Sequence, residues 1–301
     1  MKIINKFLSK ISSQNKYSIG LSHILNFRVK YSKIKNINDL DFKIFSQNGE
    51  DGIIDYLLHS LKIDKPKFIE IGVGDYTECN TRFLFERCSP KGLIIDCLKD
   101  LEKKISKNIK LWRADLTILE KMISPDNINV ILKKFNFHNK VDLFSLDIDG
   151  IDYWVLKELP KNFSKIAVIE FNSNFGYKKE ISVPLIKNFD RTKYHYSNLC
   201  YGASLKAIIN LMKKKGFVFI GTNLHRVNAF FVQKKLLKKI NLNLNSKNLK
   251  NNTDSNIRES RDKKNKLTYL TSKKKIKIIG NCKVIDVSKK KYKTQLLKDL
   301  I

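Results

Sequence analysis

Short apolar runs spaced by helix-like stretches constrain this chain most: "KFIEIG", "KGLIID", "VDLFSLDID" and "KIAVIEF" recur between residues 67 and 171. "KLWRADL" reads as a further strand, and "NTRFLFERC", "DLEKKISKNI", "NVILKKF" and "YWVLKELP" read as the intervening helices. Strands alternating with helices at this spacing predict βαβ units and a mostly parallel sheet with helices on both faces. Upstream, "FSQNGEDGIIDYLLHSL" predicts a helix with a capping-box-like start at Asn48 and Asp51. Downstream, "GASLKAIINLMKKKG" predicts a helix capped by Ser204 and closed by Gly216. The two apolar runs of "FVFIGTNLHRVNAFFV" then predict an antiparallel hairpin at the end of the sheet. In an open α/β sheet, ligands bind outside the carboxyl ends of the strands.

Of the 301 residues, 42% are hydrophobic, enough for a real core. The net charge of +30 is uneven: residues 1–36 carry +8, residues 234–301 carry +16, and the middle carries only about +6. The expected organisation is a basic N-terminal segment (1–36), an α/β domain (37–233), a low-complexity basic linker (234–266) and a small basic appendage (267–301). Gly280 and Asn281 separate two alternating runs in the appendage and suggest a hairpin turn. Basic tails attract nucleic acid or anionic surfaces by counterion release. No aromatic interleaving accompanies these Lys and Asn residues, so a solvated surface without a specific nucleic-acid partner is the favoured reading. The five cysteines form no CxxC pair, which fits reduced thiols and a cytoplasmic location. Lys, Ser and Asn interrupt the N-terminus before any apolar signal core, and no stretch reaches 18 apolar residues, so neither a cleaved signal nor a membrane span is expected.

"FIEIGVGDYTECN" joins the first strand of the sheet to a helix through Gly72 and Gly74. Glycines allow close approach of a ligand to the backbone, and a helix N-terminus offers N–H groups. Thr77 stands where a dinucleotide fingerprint wants a third Gly or Ala, which disfavours NAD. The chain also lacks the phosphate-cradling G-x-x-x-x-G-K-[ST] pattern. Asp96 ends the second strand 22 residues after Gly74, where a carboxylate can accept both ribose hydroxyls. Asp115, read as ending the third strand, is placed to meet an adenine amino group. Together these residues outline a pocket for adenosine without a polyphosphate.

The ordered set "EIGVGD", "IIDC", "RADL", "SLDIDGIDYWVL", "IEFN" and "YGASL", with "FSQNGEDG" upstream and "NAFFV" at the end, resembles the FkbM-type branch of class I S-adenosylmethionine-dependent methyltransferases over residues 41–232. The resemblance implies a Rossmann-like fold, a seven-stranded, mostly parallel sheet with an antiparallel last strand. It further implies S-adenosyl-L-methionine as cofactor and O-methylation of a sugar or glycan-related acceptor. By position, Glu70, Gly72 and Gly74 would lie beside the cofactor's methionine part, Asp96 would hold its ribose, Asp115 would lie near adenine, and Asp147 would face the sulfonium. Asp75, in the same loop, is expected among the cofactor-binding residues, although many relatives of the family have a small residue there.

"SLDIDGIDYWVL" leaves three acids to explain. An EF-hand fails, because Asp152 falls where glycine is required. A local role has Asp149 capping the next helix with Asp152 as its reciprocal carboxylate. A chemical role has Asp149 take the proton from, or orient, an acceptor hydroxyl, with Asp147 touching cofactor or substrate. Glu170 and Asn172 are expected to line the same cleft, and His195 and Tyr201 the acceptor side. A divalent metal on Asp147, Asp149 and Glu170 is the less favoured alternative, and the expected site names no metal. The rival to an enzyme is a Rossmann-like binding protein whose basic tails recruit acidic polymer or nucleic acid.

Overall fold

The computed structural model describes residues 2–244, 255 and 257–301. Strands β1 (Lys67–Ile71), β2 (Lys91–Asp96), β3 (Asp115–Glu120), β4 (Leu143–Leu146) and β5 (Ile166–Glu170) run parallel. Strand β6 (Ile181–Ser182) leaves this sheet, while β7 (Phe217–Thr222) and β8 (Asn228–Gln233) form the expected hairpin. Strand β8 inserts antiparallel between β5 and β7, so the spatial order is β3-β2-β1-β4-β5-β8-β7. This is the strand order of the Rossmann-like methyltransferase fold, including the reversed final strand.

Because successive strand residues face opposite sides, β1 and β2 feed two separate cores. Ile69, Ile71, Leu93 and Ile95 pack on one face with α5 (Ile128–Lys134), α6 (Asp152–Glu158) and α8 (Leu205–Lys214). Phe68 and Ile94 pack on the other with α2 (Glu50–Ser60), α3 (Arg82–Cys88) and α4 (Leu101–Asn108). The hydroxyl of Ser204 caps α8 by accepting from the Ala207 N–H, and Gly216 sits just past its end at φ +90°.

The N-terminal 28 residues are not a detached basic arm. Helix α1 (Lys2–Arg28) docks through Arg28, whose Nε and Nη2 donate to Asp55 at 3.0 and 2.6 Å, and the Tyr31 hydroxyl adds a third bond at 2.8 Å. Lys234–Lys239 forms a 3-10 turn, and Ile240 and Leu242 are buried against the α2 side of the sheet. The remainder of the expected linker, residues 245–254 and 256, lies outside the described residues.

The appendage is arranged differently from the reading centred on Gly280. Residues before it form a helix, α9 (Ser272–Ile279), and the hairpin comes later, from β9 (Lys283–Asp286) and β10 (Thr294–Leu296). In "SKKKIKIIG" the apolar Ile276, Ile278 and Ile279 are too few to separate alternation from a helical face, and Lys supports either. Strand β9 also pairs with β6, giving a three-stranded sheet, β10-β9-β6, over a small core that holds Phe175, Cys200, Cys282 and Leu297. All five cysteines are free thiols. Among the described residues, no helix is long and apolar enough to cross a membrane.

The entry to α2 also departs from a capping box. Gly49, at φ +93°, is its N-cap, and Asp51 instead accepts the N–H groups of Ile44, Phe45 and Ser46 at 2.7, 2.7 and 2.8 Å. Glu50 accepts the Asn48 N–H and the side-chain amides of Asn223 and Asn228, each at 2.8 Å. Thus "FSQNGEDG" and "NAFFV", far apart in sequence, meet around one fully buried carboxylate. Glu50→Ala would strand the Asn228 amide and leave the Asn223 amide only the Asn48 carbonyl at 3.2 Å, so its urea-unfolding stability should fall by about 3 kcal/mol. Glu50→Gln, which keeps an acceptor, should lose less than half of that.

Candidate functional site

The backbone after β1 turns sharply at Gly72, where φ is +87°. A Cβ there would lie 1.5 Å from the Asp147 carbonyl oxygen, so only glycine lets the β1 loop press against the end of β4. The Gly72 N–H bonds to the Ile95 carbonyl at 2.9 Å, and the Asp147 N–H bonds to Ile71 at 3.0 Å, which fixes three strand ends together. At Gly74 the chain is again left-handed, at φ +53°, but nothing lies within 4 Å of a would-be Cβ. This side of the loop is open.

Asp96 stands beside that opening. One of its oxygens accepts the Gly74 N–H and the other the Leu98 N–H, both at 2.8 Å. A carboxylate has about four acceptor positions, so each oxygen retains capacity for a hydroxyl donor. Glu70 has a different task from the one expected. Buried beneath the loop, it accepts the Asn80 and Thr81 N–H groups at 2.8 and 3.0 Å and the Thr81 hydroxyl. Burial pushes its carboxyl up to about 7 against those bonds, which favour the ionised form. The Asn80 and Thr81 N–H groups just before α3 are therefore consumed by Glu70 and are not presented to a ligand. Asp75 is exposed and closes an Asx turn on the Thr77 N–H at 3.0 Å.

The expectation for Asp115 is overturned. It begins β3, opposite Lys91, and its carboxylate pairs with the Lys91 ammonium at 2.6 Å on the exposed amino edge of the sheet. The carboxyl end of β3 is Glu120, level with Asp96, which puts Asp115 about 17 Å away at roughly 3.3 Å per residue. The "LWR" segment read as strand is a 3-10 turn, with Trp112 80% exposed.

After β4, Asp152 and not Asp149 organises the turn. Its two oxygens accept the Ile148 and Gly150 N–H groups, both at 3.0 Å, and it is fully buried. Asp149 does not cap α6, whose N-cap is Ile151. Held at φ +53°, Asp149 turns toward Arg191 of α7 (Arg191–Tyr194) and pairs with it at 2.6 Å. Its carboxylate oxygens, with those of Asp147 and Glu170, form a trio whose ligand atoms lie within 4.8 Å of one another. Burial, then the neighbouring Asp149 charge, pushes the Asp147 carboxyl well up; burial, then Asp147, does the same to Glu170. Burial raises Asp149 too, opposed by Arg191.

The trio lines a cleft of about 150 Å³ together with Tyr201, Arg191, Glu259 and Lys275. The Arg191 guanidinium lies 5.3 Å from the centre of the Tyr201 ring, which orients both groups. Tyr201 lines this cleft, and Asn172 and His195 do not. The Asn172 amide donates to the Leu199 and Tyr201 carbonyls at 2.8 and 2.9 Å, and its oxygen accepts from the Asn174 N–H at 3.0 Å, so it holds the loop around the cleft. His195 bonds through Nδ1 to the Ser197 hydroxyl at 2.7 Å, is not among the cleft-lining residues, and has its pKa lowered by burial. Arg191, Glu259 and Lys275 carried no sequence signal, since they approach Asp149 only through tertiary packing.

No family model and no curated protein matches the chain. Among solved structures it is similar to a protein assigned as a sarcosine dimethylglycine methyltransferase from Galdieria sulphuraria, at 16% identity over 57% of this chain and 62% of that one, TM-score 0.37. It is similar to M. jannaschii TYW2 in complex with AdoMet, at 12% identity over 62% and 78%, TM-score 0.33. It is also similar to human N-acetylserotonin methyltransferase in complex with SAM, at 13% identity over 62% and 56%, TM-score 0.34. The chain spans less than two thirds of the first and third of these. The fold assignment rests on the strand order and not on likenesses of this size.

The two glycines should respond differently to the same substitution. Gly72→Ala, which drives a methyl into the Asp147 carbonyl, should cost about 3 kcal/mol or more. Gly74→Ala, which meets only the backbone preference, should cost about 1 kcal/mol. Urea unfolding monitored by circular dichroism reads both, and equal costs would contradict the close approach.

Proposed function

We propose that the chain is an S-adenosylmethionine-dependent methyltransferase of the FkbM type, acting on a hydroxyl of a sugar or glycan-related acceptor. The observation that carries the reading is the Gly74–Asp96 pair: an open loop at the carboxyl edge of the sheet, beside a carboxylate with acceptor capacity to spare. Nothing in that loop is built for a polyphosphate, and Asp96 suits a ribose. The bound cofactor would supply an electrophilic methyl group on a cationic sulfur.

The chain's own residues would do the rest. Glu70 holds the loop from beneath, and Gly72 brings it against Asp147, so the donor slot and the acidic cleft share one wall. Transfer to a hydroxyl requires acceptor oxygen, methyl and sulfur in line, and removal of the hydroxyl proton. Asp149 is the group assigned to that proton or to orienting the hydroxyl. Its side chain is 45% exposed at the cleft, burial raises its basicity, and Arg191 fixes its direction. Asp115 and His195 have no part in this assignment.

The rival with free basic tails is disfavoured by packing: β9 pairs with β6, and Lys275 and Glu259 line the cleft. The sugar or glycan acceptor is supported only by the family resemblance of "DIDGIDYW".

Calorimetric titration with S-adenosylhomocysteine should give a micromolar dissociation constant, about −8 kcal/mol. Asp96→Ala should weaken it about 10- to 100-fold by removing charge-assisted bonds, while Asp115→Asn should leave it unchanged. Absence of heat from the folded wild-type chain would overturn the reading. With the true acceptor, Asp149→Asn should lower kcat by about 10²-fold or more without changing homocysteine-conjugate affinity.

A further inference from the structure

We propose that Asp147, Asp149 and Glu170 form a binding site for one hard divalent cation of the Mg²⁺ or Mn²⁺ class. The three come from two neighbouring strand ends, β4 and β5, and their carboxylate oxygens already lie within 4.8 Å of one another. Oxygen-only ligation by carboxylates selects hard ions over Zn²⁺ or Cu²⁺, which favour nitrogen and sulfur.

Charge balance points the same way. Arg191 answers Asp149, and shares its charge with Glu259 at 3.5 Å. Among the described residues, neither Asp147 nor Glu170 forms an ion pair with a basic side chain. Arg191 is thus one positive charge set against the three acids of the trio and Glu259; such an excess of negative charge is costly in a partly desolvated cleft, and a divalent ion removes that cost.

A second observation is independent of the count of acids. Glu170 is 4% exposed, yet its Oε2 has no hydrogen-bond partner although the residue lines the cleft. Buried carboxylate oxygens are ordinarily satisfied, so an orphan facing a polar cleft marks the place of a missing partner. The other buried acids of the same sheet edge, Glu70 and Asp152, spend both oxygens on backbone N–H groups. The cleft leaves room for water or an acceptor oxygen to complete the coordination, as Mg²⁺ sites with few carboxylates require. The site stands on this geometry alone and does not depend on methyl transfer.

Mn²⁺ titration of the full chain, read by loss of the free-ion electron paramagnetic resonance signal, tests it. One Mn²⁺ should bind per chain and be displaced by Mg²⁺. Glu170→Gln and Asp149→Asn should each weaken binding at least about tenfold, while Asp115→Asn, remote from the cleft, should not. Asp149→Asn replaces a half-exposed side chain and keeps the test open if Glu170→Gln does not fold. No Mn²⁺ bound at millimolar concentration by the folded wild type, or binding unchanged in Asp149→Asn, would overturn the proposal. Titration of the same samples with S-adenosylhomocysteine separates loss of this site from loss of the donor site.

Discussion

The contact between Gly72 and the Asp147 carbonyl is the constraint on which the site depends. Any side chain at 72 would collide with β4's end, so the loop after β1 and the acids after β4 are placed by one backbone packing event. The strand order adds the rest. With β1 central and β2 and β4 on its two sides, the carboxyl ends of three strands open on one edge, where the topology reverses direction. Asp96 reaches that edge from β2, and Asp147 and Asp149 from β4. The glycine-loop opening and the acidic cleft are therefore neighbours because of the fold and not through a separate adjustment.

Buried carboxylates do two different jobs around this edge. Asp51, Glu70 and Asp152 are spent on backbone N–H groups of the loops they stabilise, each replacing the water those groups would otherwise need. Asp147, Asp149 and Glu170 accept no comparable set of backbone bonds and face a cleft. The same residue type holds the backbone where it accepts several N–H groups, and stays open to a ligand where it accepts none. That difference is visible only in three dimensions.

That distinction explains what was legible in the sequence. The parallel sheet, the closing hairpin and the Ser204 cap followed from local patterns: apolar runs, turn residues and a cap three residues before its N–H partner. The glycine loop and Asp96 were legible because chain geometry fixes a strand's end and the next turn. Asp115 was misplaced because "LWRADLTILE" has apolar residues on both sides of it, and on an edge strand burial gives no clean alternation to set the register; the strand starts at Asp115 rather than ending there. Glu70 was assigned to a ligand because spacing reveals which loop a carboxylate belongs to, but not which way it faces. Arg191, 42 residues from Asp149, could not be paired with it by any local rule. The basic appendage looked separable because its charge is high, yet a few apolar residues, Ile279, Val284 and Leu297 among them, share a small core with Phe175 and Ile181.

The central claim is that the loop at Gly72 and Gly74, with Asp96, is a nucleoside-binding edge. Amide hydrogen exchange with and without S-adenosylhomocysteine tests it most directly, since binding must slow the opening of the backbone it touches. The account predicts added protection at residues 72–77 and 96–98, and none around Asp115. Protection confined to the amino edge of the sheet, or none at the glycine loop under saturating ligand, would contradict it.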